Sequence, residues 1–262
     1  KFLSHNDIVS SVKWLNNETF VSGSIDKKMR IESIEKGLVC SETFSRIRKL
    51  LISDCYSCII ILPSSMNDIV FYDYKNFRET NRLTEMDPII SANISKKDEG
   101  RQLIVNLSKV NASINLYEIS NLKLINKFYG HSQEQYSIEC SFAGELDEFI
   151  ICGSEDANIY IWHVSDSIPI RVVKGHTGSV NSCNLVKFLD KNIIFSASDD
   201  HTVRVWGAKN TAVEFSDRSN GNRKKSSFMR SRNSGGAGCN NIAVNNAIFD
   251  VVDMSNLGLL NN

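Results

Sequence analysis

Three residue types that together could run nucleophilic catalysis recur at fixed spacing along the 262-residue chain. They are His, Ser and Asp, the members of a hydrolase triad, and each set is closed by a Trp. The clearest set is His176, Ser196 or Ser198, Asp200 and Trp206. A second comprises His131, Asp156 and Trp162, with Cys152 at the position expected for the serine. As a triad, His would take the Ser proton and Asp would orient the imidazole. Catalysis needs one convergent site, however, whereas this set repeats, and no G-x-S-x-G turn surrounds any of the serines. The same groups can instead form a hydrogen-bond chain that satisfies a buried imidazole, hydroxyl and indole N–H and pins strands together. No catalytic residue is assigned on this reading.

Other candidates carry less. Cys55-x-x-Cys58 has metal or redox spacing but lacks a second ligand pair, and a zinc site wants four ligands. His163 and His201 stand singly, beside a strand end and in a turn, with no H-E-x-x-H around them. No P-loop sequence occurs, and Gly235-Gly236-Ala237-Gly238 lies in a polar low-complexity stretch. No metal and no cofactor are expected.

Positioning these residues requires a repeated element. Trp162 and Trp206 are 44 residues apart, and so are Asp156 and Asp200. Projected backwards, the spacing meets Tyr117, Tyr72 and Glu32, giving intervals of 40, 45, 45 and 44. The runs inside each unit are short, β-branched and aromatic, and are broken by Gly, Asn, Asp and Ser, which suits four-stranded antiparallel sheets. Runs such as Cys58–Leu62 are apolar on both faces, as strands between neighbouring sheets must be. The expected fold is all-β, a propeller of five recognisable blades at about 1–42, 43–82, 83–127, 128–172 and 173–215. In the last blade, strands are expected at Val180 to Phe188, Asn192 to Ser198, Thr202 to Trp206 and near Thr211 to Phe215.

Composition narrows the setting. Thirty basic and thirty acidic side chains cancel, so no global field draws the chain to nucleic acid or an anionic membrane. No apolar stretch approaches the roughly 20 residues of a membrane helix, and Lys1-Phe2-Leu3-Ser4 is no signal peptide. Seven cysteines, an odd number, read as reduced thiols, and the expected address is cytoplasmic and also nuclear. The Asn-x-Ser/Thr sites at Asn17, Asn93, Asn106 and Asn111 then read as chance matches. Lys1 to Leu3 read as the last strand of a preceding blade. Residues 216–241 turn to Ser, Asn, Gly, Lys and Arg and read as a flexible segment, whose Arg218, Arg223, Lys224, Lys225, Arg230 and Arg232 offer a basic patch. Within 242–262, the run Ala247–Val252 is strand-like and suited to a free blade edge.

The motifs resemble those of WD-repeat proteins. They include Gly153-Ser154-Glu155-Asp156 with Tyr160-Ile161-Trp162-His163, and Gly175-His176-Thr177 with Ser196-Ala197-Ser198-Asp199-Asp200 and Val203-Arg204-Val205-Trp206-Gly207. Together with Cys140–Gly144, Asp147–Ile150 and the start Ser4-His5-Asn6-Asp7, they are similar to the WD-repeat subunit of the GID/CTLH (glucose-induced degradation) ubiquitin ligase. That resemblance spans about Ser4 to Gly207. It implies seven blades, of which these would be the last five, with oligomerisation through LisH and CTLH helical segments not seen in this sequence. It implies a non-catalytic subunit that organises the ligase and recruits substrates for degradation. The alternative is a WD scaffold of an unrelated complex. In either case the exposed turn residues are the expected protein contacts: Asn6, Asp7, Lys27, Lys28, Gln133, Glu134, Glu155, Asn158, Thr177 and His201.

Overall fold

A computed structural model describes residues 5–65, 67–108, 112–188 and 191–207, together with strands at 242–244 and 247–251. The expectations for Lys1 to Leu3, Thr211 to Phe215 and 216–241 lie outside the described residues. Those that are described contain twenty-one strands and no helix.

Four sheets follow the chain in order and are wholly antiparallel. The first joins β1 (Val9–Trp14), β2 (Thr19–Ser24), β3 (Lys28–Ser33) and β4 (Gly37–Thr43). The second joins β5 (Ile47–Ser53), β6 (Cys58–Pro63), β7 (Asp68–Asp73) and β8 (Arg78–Thr84). The third holds β9 (Ile89–Ile94), β10 (Gln102–Leu107), β11 (Ser113–Glu118) and β12 (Lys123–Tyr129). The fourth holds β13 (Cys140–Ala143), β14 (Phe149–Gly153), β15 (Asn158–His163) and β16 (Arg171–Lys174). In the fifth, β17 (Val180–Phe188), β18 (Lys191–Ser198) and β19 (Val203–Gly207) are antiparallel. The edge of β19 is taken by β21 (Ala247–Val251), in parallel from Val203↔Ala247 to Gly207↔Val251, with β20 (Ile242–Val244) outside it.

The repeat is written into the turns as well as the strands. Gly37, Phe77 and Leu122, at φ of 75°, 52° and 53°, make the turn into the outer strand of the first three sheets. Glycine takes that left-handed conformation freely, whereas Phe77 and Leu122 hold it at a cost of roughly 1–2 kcal/mol each. Between second and third strands, Lys27, Ala157 and His201 are left-handed, each following an aspartate. That aspartate fixes the turn by accepting the N–H two residues on: Asp26 from Lys28 at 2.9 Å, Asp156 from Asn158 at 3.1 Å and Asp200 from Thr202 at 3.0 Å.

The apolar interior is divided into four layers, one between each pair of consecutive sheets. Val21, Met29 and Ile31 of the first sheet meet Leu50, Ile61 and Tyr72 of the second. Ile60, Ile69 and Phe71 of the second meet Ala92, Val105 and Tyr117 of the third. Ile104, Ile114 and Phe128 meet Cys140, Cys152 and Trp162, and Ile151, Ile159 and Val173 meet Cys183, Ile194 and Trp206. Each sheet therefore has a forward face and a backward face, which is the packing of propeller blades. Polar ties cross the same boundaries. Ser10 Oγ donates to the Ile47 carbonyl (2.6 Å), Ser91 Oγ to that of Ile138 (2.8 Å), and the Arg48 guanidinium to those of Ile89 and Ile90 (2.8 and 3.3 Å). Asp147 Oδ2 accepts from Ser95 Oγ and from the N–H groups of Lys96 and Lys97 at 2.6–2.8 Å, locking the fourth sheet's first turn to the third's.

Sheets four and five approach closely at Gly153, where an added Cβ would overlap the Val180 carbonyl. The obstacle is backbone, which a rotamer change cannot relieve. We expect Gly153→Val to destabilise the protein by about 3 kcal/mol, at the upper end of overpacking costs, as read from urea unfolding. A shift of the midpoint below one-third of that would contradict this packing.

Candidate functional site

The sets singled out in the sequence lie at one end of the sheets, where each outer strand leads into the next first strand. In the fifth sheet His176, Ser196, Asp200 and Trp206 converge. His176 Nδ1 meets Asp200 Oδ2 at 2.8 Å, and Nε2 meets Ser196 Oγ at 2.6 Å. Trp206 Nε1 donates to the same Oγ at 2.7 Å. With Nδ1 protonated towards the carboxylate, the hydroxyl donates to Nε2 and accepts from the indole, so both of its roles are taken up inside the protein. The arrangement has triad distances, yet Ser196 is buried beneath the imidazole and indole, which meet edge-on at 5.7 Å. Arg204 completes the cover, its guanidinium carbon 5.9 Å from the Trp206 ring centre. Burial opposes ionisation of Asp200, but hydrogen bonds from Thr202, His176 and the Thr177 N–H outweigh it and hold the carboxyl far below the usual range.

Ser198 is not part of this chain. It lies past the imidazole at the end of β18, where its Oγ donates to the Gly178 carbonyl (2.9 Å) and accepts the Asp200 N–H (3.2 Å). The fourth sheet departs further from the expected network. His131 packs edge-on to Trp162 at 5.6 Å, as His176 does on Trp206, but makes no hydrogen bond to Asp156. Tyr160, at the repeat position of Arg204, brings its hydroxyl to Asp156 at 2.6 Å. Cys152 offers no hydroxyl, so the Trp162 N–H turns to the Tyr129 carbonyl at 3.0 Å. The imidazole reaches across to the third sheet, Nε2 lying 3.2 Å from Asn106 Oδ1. Nδ1 has no hydrogen-bond partner among the described residues. Burial pushes the His131 pKa down to about 4, against a smaller opposing pull from the Asp156 charge.

Residues outside the assigned sets fill equivalent places. His5 meets Asp26 at 3.0 Å and Ser22 at 2.8 Å, repeating the His176 arrangement 174 residues upstream for Ser22 and Asp26, a shift the 44-residue spacing could have located. Burial raises the Asp26 pKa, but the N–H groups of Asn6 and Lys28, with His5, bring it down to about 2. In the third sheet Glu85, four residues before Ile89 as His176 is before Val180, accepts from the Tyr117 hydroxyl and from Asn115 Nδ2 (2.9 Å). In the second, Phe44 meets Tyr72 edge-on at 6.0 Å. Every sheet after the first thus seats a group from the entering loop over the aromatic that closes the third strand.

Of the expected contact residues, Asn6, Asp7, Lys27, Glu134, Thr177 and His201 are exposed, and Lys28, Glu155 and Asn158 are half-buried. Gln133 is fully buried and is withdrawn from the contact surface. Its amide accepts from Asn106 Nδ2 at 3.1 Å and donates to the Tyr136 carbonyl, because a buried Asn106 needs partners on both atoms. The Glu155 carboxylate, in the turn between β14 and β15, is spent on the loop that enters the fourth sheet, accepting the N–H groups of Glu134, Gln135 and Tyr136 at 2.7–2.9 Å. The result is a fixed loop that holds Glu134 and the half-exposed Tyr136 ring outward.

Cys58 is buried between sheets two and three, and burial pushes its thiol up to about 11. Cys55 sits in the turn before it. No group of three or more His, Cys, Asp or Glu side chains among the described residues could hold a metal ion.

The WD domain, G-beta repeat family matches residues 1–31, 122–163 and 167–207. The chain carries WD40 repeats. These matched segments take in all three aspartate turns and both His–Trp pairs, and the described residues form five blades of an all-β WD-repeat propeller. It is 32% identical over 217 residues to the WD repeat-containing protein WDS homolog of Arabidopsis thaliana, covering 76% of this chain and 38% of that protein. It is 36% identical over 127 residues to the WD repeat-containing protein 26 homolog of Drosophila melanogaster, 48% of this chain and 19% of that one. GID complex subunit 7 of Schizosaccharomyces pombe is 32% identical over 96 residues, 36% of this chain and 18% of the relative. The chain therefore spans between about a fifth and two fifths of these relatives.

Proposed function

We propose that this WD-repeat chain is a non-catalytic scaffold of a multi-subunit ubiquitin ligase of GID/CTLH type, recruiting substrates for proteasome-dependent degradation in the cytoplasm and nucleus. The scaffold reading rests on one observation: the turns at the loop-bearing end are pinned from within by Asp26, Glu155 and Asp200, while Asn6, Glu134, Tyr136, Thr177 and His201 stay exposed. A face ordered before it meets a partner loses little entropy on binding. Ser196 and Ser22, already bound to imidazoles inside the fold, suit structure and not turnover. The ligase reading is supported by similarity to a relative named as a GID complex subunit. A second reading, a WD scaffold of another complex, draws on the 217-residue match to a relative whose name specifies no complex.

Affinity purification of the tagged protein from its own cells tests both. Recovery of GID/CTLH subunits, with slower substrate turnover on deletion, is the expected result; a purification that yields a different assembly and no such subunit favours the second reading.

A further inference from the structure

Strand register aligns the outer strands of the sheets, and one position that is covered in the first and third sheets stands open in the second. The fourth residue of the third strand, Ile31, Phe71 or Leu116, pairs with Cys40, Asn81 or Asn126. In all three sheets the outer strand bulges one residue earlier, at Val39, Thr80 and Ile125, so these side chains leave it from the same local geometry. The second sheet covers Cys40, whose Sγ meets the Tyr72 hydroxyl at 3.6 Å. The fourth sheet covers Asn126. There Nδ2 donates to the Val164 carbonyl at 3.0 Å, and Oδ1 accepts from Ser167 Oγ at 3.0 Å and from the Lys127 N–H at 2.8 Å. Asn81 repeats the last of these contacts, Oδ1 accepting the Arg82 N–H at 3.0 Å, but its Nδ2 has no hydrogen-bond partner among the described residues.

The third sheet leaves Asn81 open for two reasons. The Tyr117 hydroxyl, in the place of Tyr72, is taken by Glu85. Ile119 stands as Val164 does, its N–H on the Arg101 carbonyl as that of Val164 is on the Glu148 carbonyl. Only four residues, 119–122, then lead to β12, where seven, 164–170, lead to β16, so the short turn has no counterpart of Ser167. What is left is a cleft of about 310 Å³ between the second and third sheets, with Cys58, Phe71 and Ile119 as its floor and Tyr56, Thr80 and Asn81 at its mouth. The floor residues are 2–6% exposed, whereas Tyr56 is 36% exposed. That volume is at the lower end of ligand pockets, and an apolar floor with a few polar groups is their usual lining.

We infer that this cleft binds a turn of a partner protein, which offers Asn81 the two groups that the fourth sheet offers Asn126. These are a main-chain carbonyl for Nδ2 and, three residues later, a serine or threonine hydroxyl for Oδ1. An apolar side chain of the same turn fills the floor, as Val164 packs against the layer of Ile114 and Phe128. A peptide is selected over a small polar solute because the floor is apolar and because the carbonyl and hydroxyl have the spacing of one chain. The site lies at the end of the sheets opposite the entering loops, since Tyr56 is in the turn after β5 and Ile119 in the turn after β11. It is therefore separate from the contact face at the loop-bearing end.

The probe is a head-to-tail cyclic peptide with the sequence of residues 163–170, titrated by calorimetry into the purified protein. One equivalent should bind. Asn81→Leu should weaken binding about fivefold or more, and alanine in the peptide at the place of Ser167 about threefold or more, the scale of single hydrogen bonds. Asn81 is exposed, so the variant should keep its unfolding midpoint. The partner is then sought in the protein as its own cells make it, with the photo-crosslinker benzoylphenylalanine in place of Thr80. Light should join that residue to a segment of another protein that carries a serine or threonine, and both the cyclic peptide and Asn81→Leu should reduce the adduct about fivefold or more. Peptide binding that is absent, or indifferent to Asn81→Leu, overturns the inference. So does an adduct within the same chain, which would make the occupant the protein's own, and so does the lack of any adduct that the peptide suppresses. Neither measurement depends on which complex the protein joins.

Discussion

Trp206→Ala is expected to destabilise the protein by about 3–5 kcal/mol, a large part of the stability of an ordinary domain. The indole is fully buried in the layer between sheets four and five, against Ile151, Ile161 and Val180 among others. Its removal opens a cavity and also takes away the indole N–H that donates to the Ser196 hydroxyl, leaving that oxygen its contact with His176. Trp206→Phe separates the two effects. It keeps most of the volume and loses the hydrogen bond, and should cost about 1–2 kcal/mol. Denaturant midpoints at constant slope are the measurement. Equal losses for the two variants would mean that the polar chain, and not the packing, sets the stability of this blade.

Acid should weaken the fold well before carboxylates titrate, and His131 is the reason. Its pKa is about 4 in the folded protein against about 6.5 in the unfolded chain. Between those values the unfolded chain binds a proton that the folded protein does not, so stability falls as pH falls from about 6.5 towards 4. The loss attributable to this residue reaches about 3 kcal/mol. His131→Phe keeps a ring over Trp162 and abolishes that part of the slope, while lowering stability near neutrality by about 1–2 kcal/mol because Asn106 Oδ1 loses its donor. Unfolding followed at pH 7.5 and 5.0 for both proteins decides it; parallel pH dependences would place the effect elsewhere. Asp26 acts in a lower window. Its folded pKa of about 2 lies beneath the unfolded value of 3.8, so the stability it contributes is complete above about pH 4 and is lost as pH falls towards 2.

Spacing alone made the repeat legible, because intervals of 40, 45, 45 and 44 find an aromatic or glutamate at the close of each third strand. The His176 set could be read from residue types because all four are present in that unit. The His131 set could not: one sulfur in place of a hydroxyl at Cys152 redirects the indole, and Tyr160 competes for Asp156. The Glu85–Tyr117 pair uses different chemistry in the same place, so a search by residue type passes over it while strand register finds it. Gln133 looked like a surface residue in a polar loop, and its burial depends on Asn106 of another sheet, a contact that no local pattern contains. The parallel strand at Ala247–Val251 could be read as strand-like, but not its direction, since no tight turn connects it to β19.

The division of the interior into four separate layers has a consequence for how disturbance travels. A sheet here is stabilised by what it touches and by nothing beyond, as in other stacked repeats. A perturbation at the first sheet passes towards the fifth through neighbouring layers, with the Lys49–Glu139 ion pair (2.6 Å) as a direct tie from the second sheet to the fourth. Such a molecule can absorb sequence drift one unit at a time. The second sheet holds Phe44 and Tyr72 at the place where the fifth, three sheets away, holds the His176 network.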